Sequence, residues 1–133
     1  MEGDKKKILI VDDDSFLLDM YALKFSQNNF EVHTADSALQ AVEKFKGGLV
    51  PDVVLLDVIM PEMDGFELLE KINQDKLVPN AIKIILSNKS NQSDIDRGNS
   101  LGVSGYIVKA NSTPVEVINQ VVEILSKKIS IPK

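Results

Sequence analysis

The chain has 133 residues, enough for one domain with its own core and too few for two ordinary ones. It is 44% hydrophobic and 26% charged, as soluble globular proteins are, and its net charge of −5 argues against a dedicated nucleic-acid or anionic-membrane surface. The lack of cysteine excludes disulfides, thiolate catalysis and cysteine-based metal sites, and no apolar stretch approaches the ~18 residues of a membrane span.

The start, MEGDKKKILIV, has a basic run but only a short apolar segment before three aspartates, so it is no signal peptide and a cytoplasmic location is expected. Ile8 to Val11 is the first buried-strand candidate and ends on Asp12, Asp13 and Asp14. A helix is expected from Ser15 to about Gln27, capped by Asp14 or Ser15, with Leu17, Met20, Leu23 and Lys24 in helical register. Phe30 to Ala35 alternates and predicts a more exposed strand. Ser37 with Gln40 forms a capping-box pattern for a helix that carries Ala38, Ala41, Val42 and Phe45 on one face and stops at Gly47-Gly48.

Val53 to Leu56 is a short continuous apolar run, suited to a strand buried on both faces, and it ends on Asp57. Asp64 with Glu67 opens a helix that turns Phe66, Leu69 and Ile72 inward. Ala81 to Leu86 predicts a fourth strand ending on Ser87. The segment from Asn91 to Leu101 is expected to be helical but is polar, with Ile95 and Leu101 as its only large apolar anchors, and Gly102 ends it. Gly105 to Val108 is the fifth strand, ending on Lys109. Thr113, Pro114 and Glu116 start a last helix that runs to about Lys127 and offers Val117, Ile118, Val121, Val122 and Leu125 to the sheet.

Five strands thus alternate with five helices, and strand ends recur every 22 to 30 residues, the rhythm of βα units in a doubly wound parallel sheet. In the order 2-1-3-4-5, strands 1 and 3 meet at the switch point, where open α/β sheets bind ligands. Asp12, Asp13 and Asp57 then crowd one pocket. Carboxylates that close repel one another unless a cation sits among them, and hard oxygen ligands with open positions suit Mg²⁺. Ser87 lies one strand away from Asp57, and Lys109 two strands away, roughly 10 Å, a gap most of which a lysine side chain spans. A carboxylate, a divalent cation, a lysine and a hydroxyl at one point make a site for phosphoryl transfer with the carboxylate as nucleophile.

The segments VDDD at 11–14, LLDVIMPEMDG at 55–65, ILSN at 85–88 and GYIVK at 105–109 resemble, in this order and at these intervals, a two-component response-regulator receiver domain of flavodoxin-like (βα)5 fold. The resemblance covers residues 6 to 127, so the chain is expected to be a single domain with a short tail at 128–133, either a stand-alone receiver or one excised from a longer regulator. It implies that Asp57 takes a phosphoryl group from a histidine kinase or phosphotransfer protein. It implies that Asp13, Asp57 and the Ile59 backbone carbonyl bind Mg²⁺ (or Mn²⁺), with Asp12 acting mainly through a water. It implies that Lys109 pairs with phosphate oxygens, and that Ser87 and Tyr106 are the switch pair that reshapes the surface of strand 4, helix 4, strand 5 and helix 5 for a downstream partner or output domain. Direct nucleic-acid binding and membrane association are not expected, and the chain is expected to be a monomer or weak homodimer.

Two positions depart from the family pattern: Ala110 follows Lys109 where proline is usual, and Asn88 follows the switch hydroxyl where alanine or glycine is usual. Neither removes a catalytic group. Ile59, Asn88 and Lys89 are expected to wall the water's approach to the phosphoryl group, with Lys89 covering it, so that the group is slow both to arrive and to leave.

Rival readings on the same fold are weaker. FMN binding calls for a hydroxyl- and glycine-rich loop after strand 1, where this chain has DDDSF. An aspartate-nucleophile phosphatase would use Asp12 and Asp14 but leaves Asp57 and the MPEMDG loop unexplained. A degenerate receiver serving only as an interaction module has no need of the full acidic set and Lys109. The one histidine, His33, reads as a surface residue, and Met60 and Met63 as packing groups.

Overall fold

A computed structural model describes residues 5–130. They form a parallel sheet in the order β2-β1-β3-β4-β5, from β1 (Lys6–Val11), β2 (Phe30–Ala35), β3 (Val53–Leu56), β4 (Ile82–Ser87) and β5 (Gly105–Val108). The helices are α1 (Ser15–Gln27), α2 (Ala38–Lys46), α3 (Gly65–Gln74), α4 (Gln92–Ser100) and α5 (Pro114–Ser130), and a short 3-10 turn occupies Lys109–Asn111. This is the expected doubly wound, flavodoxin-like fold. The helix α5 continues past Lys127, into the segment assigned to a tail; residues 1–4 and 131–133 lie outside the described residues.

The alternation of the strands explains the two layers. Ile8 and Ile10 of β1 and Val53 and Leu55 of β3 face one side, where they pack with Leu18, Tyr21 and Phe25 of α1 and Val117, Ile118, Val121 and Leu125 of α5. Leu9, Val11, Val54 and Leu56 face the other, against Ala41, Val42 and Phe45 of α2 and Phe66, Leu68, Leu69 and Ile72 of α3. Each buried valine, leucine, isoleucine or phenylalanine among them contributes about 1.5–3 kcal/mol.

Two helix faces differ from expectation. In α1 the buried residues are Leu18, Tyr21 and Phe25, while Leu23 is 58% exposed; Leu17 and Met20 lie at the border of the core. In α5 Val122 is 42% exposed, and Ile124 joins the core edge instead. Both helices are apolar on more than one side, so spacing alone does not select the face.

The caps follow the sequence closely. Asp14, rather than Ser15, caps α1 by accepting from the Leu17 N–H. Ser37 accepts from the Gln40 N–H, but the Gln40 side chain reaches back to the Asp36 N–H, one residue beyond the reciprocal partner of a full capping box. Asp64 and Glu67 make the complete box at α3, as Thr113 and Glu116 do at α5.

Candidate functional site

Register brings the polar strand ends together. Val11 of β1 pairs with Leu56 of β3, so Asp12 and Asp57, each the next residue, leave the sheet side by side. The Asp57 N–H donates to the Val11 carbonyl at 3.0 Å, and the Asp12 N–H to that of Ala35 at 3.1 Å. Ser87 of β4 pairs with Val108 of β5, and Lys109 follows directly. All of these residues emerge at the carboxyl edge of one sheet, where backbone hydrogen bonds fix their spacing.

At that edge, ligand oxygens of Asp12, Asp13 and Asp57 lie within 4.8 Å of one another. Asp12 and Asp57 are buried, Asp57 to 7% exposure, and Asp13 is exposed. The Lys109 Nζ stands 2.8 Å from Asp12 Oδ2 and 2.9 Å from Asp57 Oδ2. The second oxygens are held by backbone: Asp12 Oδ1 accepts from the Asp14 N–H at 2.9 Å, and Asp57 Oδ1 from the Ile59 N–H at 3.1 Å. One ammonium thus compensates two buried carboxylates. Burial pushes the Asp12 carboxyl up, against the opposing pull of Lys109. Burial works against the Lys109 ammonium too, but its hydrogen bonds to Asp12 and Asp57 outweigh that and hold it above the ordinary lysine value.

The donor set fits a small hard cation. Three carboxylates converge at an open edge, one of them exposed, and a single ammonium leaves them net negative. Asp14, the second residue a phosphatase reading would use, is engaged as the α1 cap.

The close approach of α3 to this edge depends on Gly65. Its N–H donates to the Val58 carbonyl at 2.8 Å, and a Cβ there would sit 2.4 Å from the Asp57 carbonyl oxygen. The sequence shows the Asp64-Gly65 turn pair, but nothing in it announces this contact across eight residues.

Ser87 is fully buried, and its hydroxyl accepts from the Lys89 N–H at 3.2 Å. Tyr106 is half-buried, and its hydroxyl donates to the Lys89 carbonyl. Burial, followed by the nearby Asp94 and Asp57 charges, pushes the Tyr106 phenol up to about 12. Of the three residues expected to wall the site, Ile59 is 56% exposed beside it. Asn88 turns to the 3-10 turn after β5 instead, its Oδ1 accepting from the Ala110 N–H at 2.7 Å. Lys89 is seated on Asp94, with 3.3 Å between Nζ and Oδ1, rather than over Asp57, because the buried Asp94 carboxylate in the first turn of α4 competes for it. No peptide bond among the described residues is cis, the Lys109–Ala110 bond included.

The helix α4 holds surprises. Its buried residues are Asp94 and Gly98; Ile95 and Leu101, the expected anchors, are only partly buried. Asp94 also accepts from the Asn91 N–H at 3.1 Å, which closes the helix start. The helix lies within the expected 91–101 span, but apolar periodicity has no means of finding a buried face made of a carboxylate and a glycine; the Asn91-to-Asp94 spacing is the available signal. His33 pairs with Glu31 at 2.7 Å on strand β2, away from the site, while Met60 is buried and Met63 packs against the core.

Residues 8–122 match the family model of the response regulator receiver domain. The chain is 36% identical over 119 residues to the chemotaxis protein CheY of Thermotoga maritima, covering 87% of this chain and 97% of that one. It is 32% identical over 122 residues to the alkaline phosphatase synthesis transcriptional regulatory protein PhoP of Bacillus subtilis, covering 92% of this chain but 49% of the relative. It spans 40% of a probable transcriptional regulator, ycf27, of Guillardia theta, at 34% identity over 79% of this chain. The chain therefore spans half or less of some curated relatives and nearly the whole of another. Among solved structures, a CheY-like receiver domain of Methanospirillum hungatei superposes with a TM-score of 0.84 at 28% identity, covering 94% of this chain and 97% of that one.

Proposed function

The chain belongs to the response regulator receiver domain family of two-component systems, and from that premise we propose that it is a phosphorylation switch whose acceptor is Asp57. The observation that carries this reading is the Asp57 carboxylate itself: nearly buried at the end of β3, grouped with Asp12 and Asp13, and held 2.9 Å from Lys109 Nζ. The donor is a phosphohistidine on a sensor kinase or phosphotransfer protein.

An Asp57 carboxylate oxygen attacks the phosphorus in line as the P–N bond breaks; the imidazole keeps the bonding electrons and takes up a proton. Lys109 then exchanges a carboxylate oxygen for a phosphoryl oxygen, which neutralises part of the charge that arrives. Mg²⁺ held by Asp13, Asp57 and the Ile59 carbonyl, with Asp12 acting through a water, would supply the remaining compensation. The added charge and strong acceptors beside Ser87 redraw the hydrogen bonds that run from Ser87 through Lys89 to Tyr106, and so alter the β4-α4-β5-α5 surface offered to a downstream protein or output domain.

Intact-mass measurement after incubation with acetyl phosphate tests this. One phosphoryl group is expected in the presence of Mg²⁺, with none in Asp57→Asn or under chelation. Equal labelling in chelator contradicts the metal role, and undiminished labelling of Asp57→Asn contradicts the acceptor.

A further inference from the structure

The Asn88 Oδ1 accepts a 2.7 Å hydrogen bond from the Ala110 N–H, across 22 residues of chain. Proline at 110 would offer no N–H, and alanine or glycine at 88 would offer no acceptor. The two residues stand directly after Ser87 and Lys109, the polar ends of neighbouring strands. Lys109 opens the 3-10 turn Lys109–Asn111, where its backbone leaves the sheet ladder. Its side chain is fixed at the far end by Asp12 and Asp57, but its own carbonyl group begins the peptide that Asn88 grips.

We infer that Asn88 is a positioning residue: its side-chain carbonyl ties the Lys109–Ala110 peptide to the loop after β4, so that Ser87 and Lys109 approach the Asp57 carboxylate as one unit. The inference rests on the receiver reading only for its consequence; the tie itself is independent of phosphorylation. It fits the rest of the loop. The Tyr106 hydroxyl, on β5, binds the Lys89 carbonyl, and the Ala110 N–H, in the turn after β5, binds Asn88, so the chain on either side of Lys109 holds two adjacent residues of this loop. Both Asn88 and Ala110 are exposed, so water competes for each group, and the 2.7 Å bond lies at the short end of the ordinary range. A loosened junction lets the Lys109 ammonium sample positions in which it faces only one carboxylate, and the reacting geometry is populated less often.

The experiment has two arms. Amide exchange by NMR in the unphosphorylated protein reads the tie directly. The Ala110 amide is expected to be protected in the parent, to exchange roughly tenfold faster in Asn88→Ala, and to recover protection in Asn88→Asp, which keeps the acceptor and the shape. Equal Ala110 exchange in parent and Asn88→Ala overturns the tie. The second arm times Asp57 labelling by acetyl phosphate in Mg²⁺. Asn88→Ala is expected to slow labelling by about twofold to tenfold, the usual worth of one hydrogen bond, with partial rescue by Asn88→Asp. In a Lys109→Ala background the same substitution is expected to add less than about twofold, since its effect passes through Lys109. A full additional loss in that background overturns the positioning role. A parent that takes no label at all contradicts the receiver reading, while the exchange arm still decides the tie.

Discussion

The helices α3 and α4 flank the same strand, β4, in the chain, are nearly equal in length, and are held in opposite ways. The helix α3 buries Phe66, Leu68, Leu69 and Ile72 against the sheet and starts with both hydrogen bonds of a capping box. The helix α4 buries only Asp94 and Gly98. Its attachments are polar: Lys89 to Asp94, Arg97 to Glu70 at 3.1 Å with the guanidinium 4.6 Å over the Phe66 ring, and the Asn73 side chain to the Leu101 carbonyl at 3.1 Å. Apolar burial is indifferent to a nearby charge, whereas ion pairs and hydrogen bonds rearrange when a charge is added. The fold thus places a helix held by apolar burial after β3 and one held by polar contacts after β4, next to Ser87.

The largest expected effect breaks that contrast at its apolar end. Leu69→Ala should cost about 2–5 kcal/mol in denaturant unfolding, and Ile95→Ala less than about 1 kcal/mol. Comparable losses at the two positions would mean that α4 is anchored like α3.

A smaller effect sharpens the polar side. Arg97→Ala removes a surface ion pair and a cation–π contact, together worth about 1 kcal/mol. Amide exchange should rise across residues 92–101 and stay unchanged in α3, and added salt should weaken the parent's α4 protection more than the variant's. Equal loosening of both helices would contradict the reading that α3, unlike α4, is held mainly by its apolar burial.

Much of this was legible in advance, for a physical reason. Continuous apolar runs ending on Asp12, Asp57, Ser87 and Lys109 gave both the strands and the convergence of the site, because parallel strands deliver their carboxyl ends to one edge. The buried faces of α1 and α5 were not legible, since Leu23 and Val122 are as apolar as the residues that replace them in the core. Nor was the Asn88–Ala110 bond: each departure from the family pattern is visible in the chain, but that the two meet is a property of the β4–β5 register. Lys89 was expected over the phosphoryl site, and Asp94, read only as part of a polar helix, holds it instead.

The smallest effect concerns pH. Tyr106 and Tyr21 both have phenols pushed above the ordinary 10.0, Tyr106 to about 12. Since the folded state holds the Tyr106 proton more tightly than the unfolded one, its contribution to stability is complete below pH 10 and is lost as pH rises through about 12. In Tyr21→Phe, where Tyr106 is the remaining tyrosine, ultraviolet titration should give a midpoint near 12 rather than 10.

On the proposed function, charge arriving at Asp57 is read out through the polar-anchored segment that contains α4. Hydrogen exchange compared between the unphosphorylated and phosphorylated protein tests it most directly. Changes concentrated in residues 87–111, with α1, α2 and the buried face of α3 unaltered, are the expected result; changes confined to α1 and α2 would contradict it.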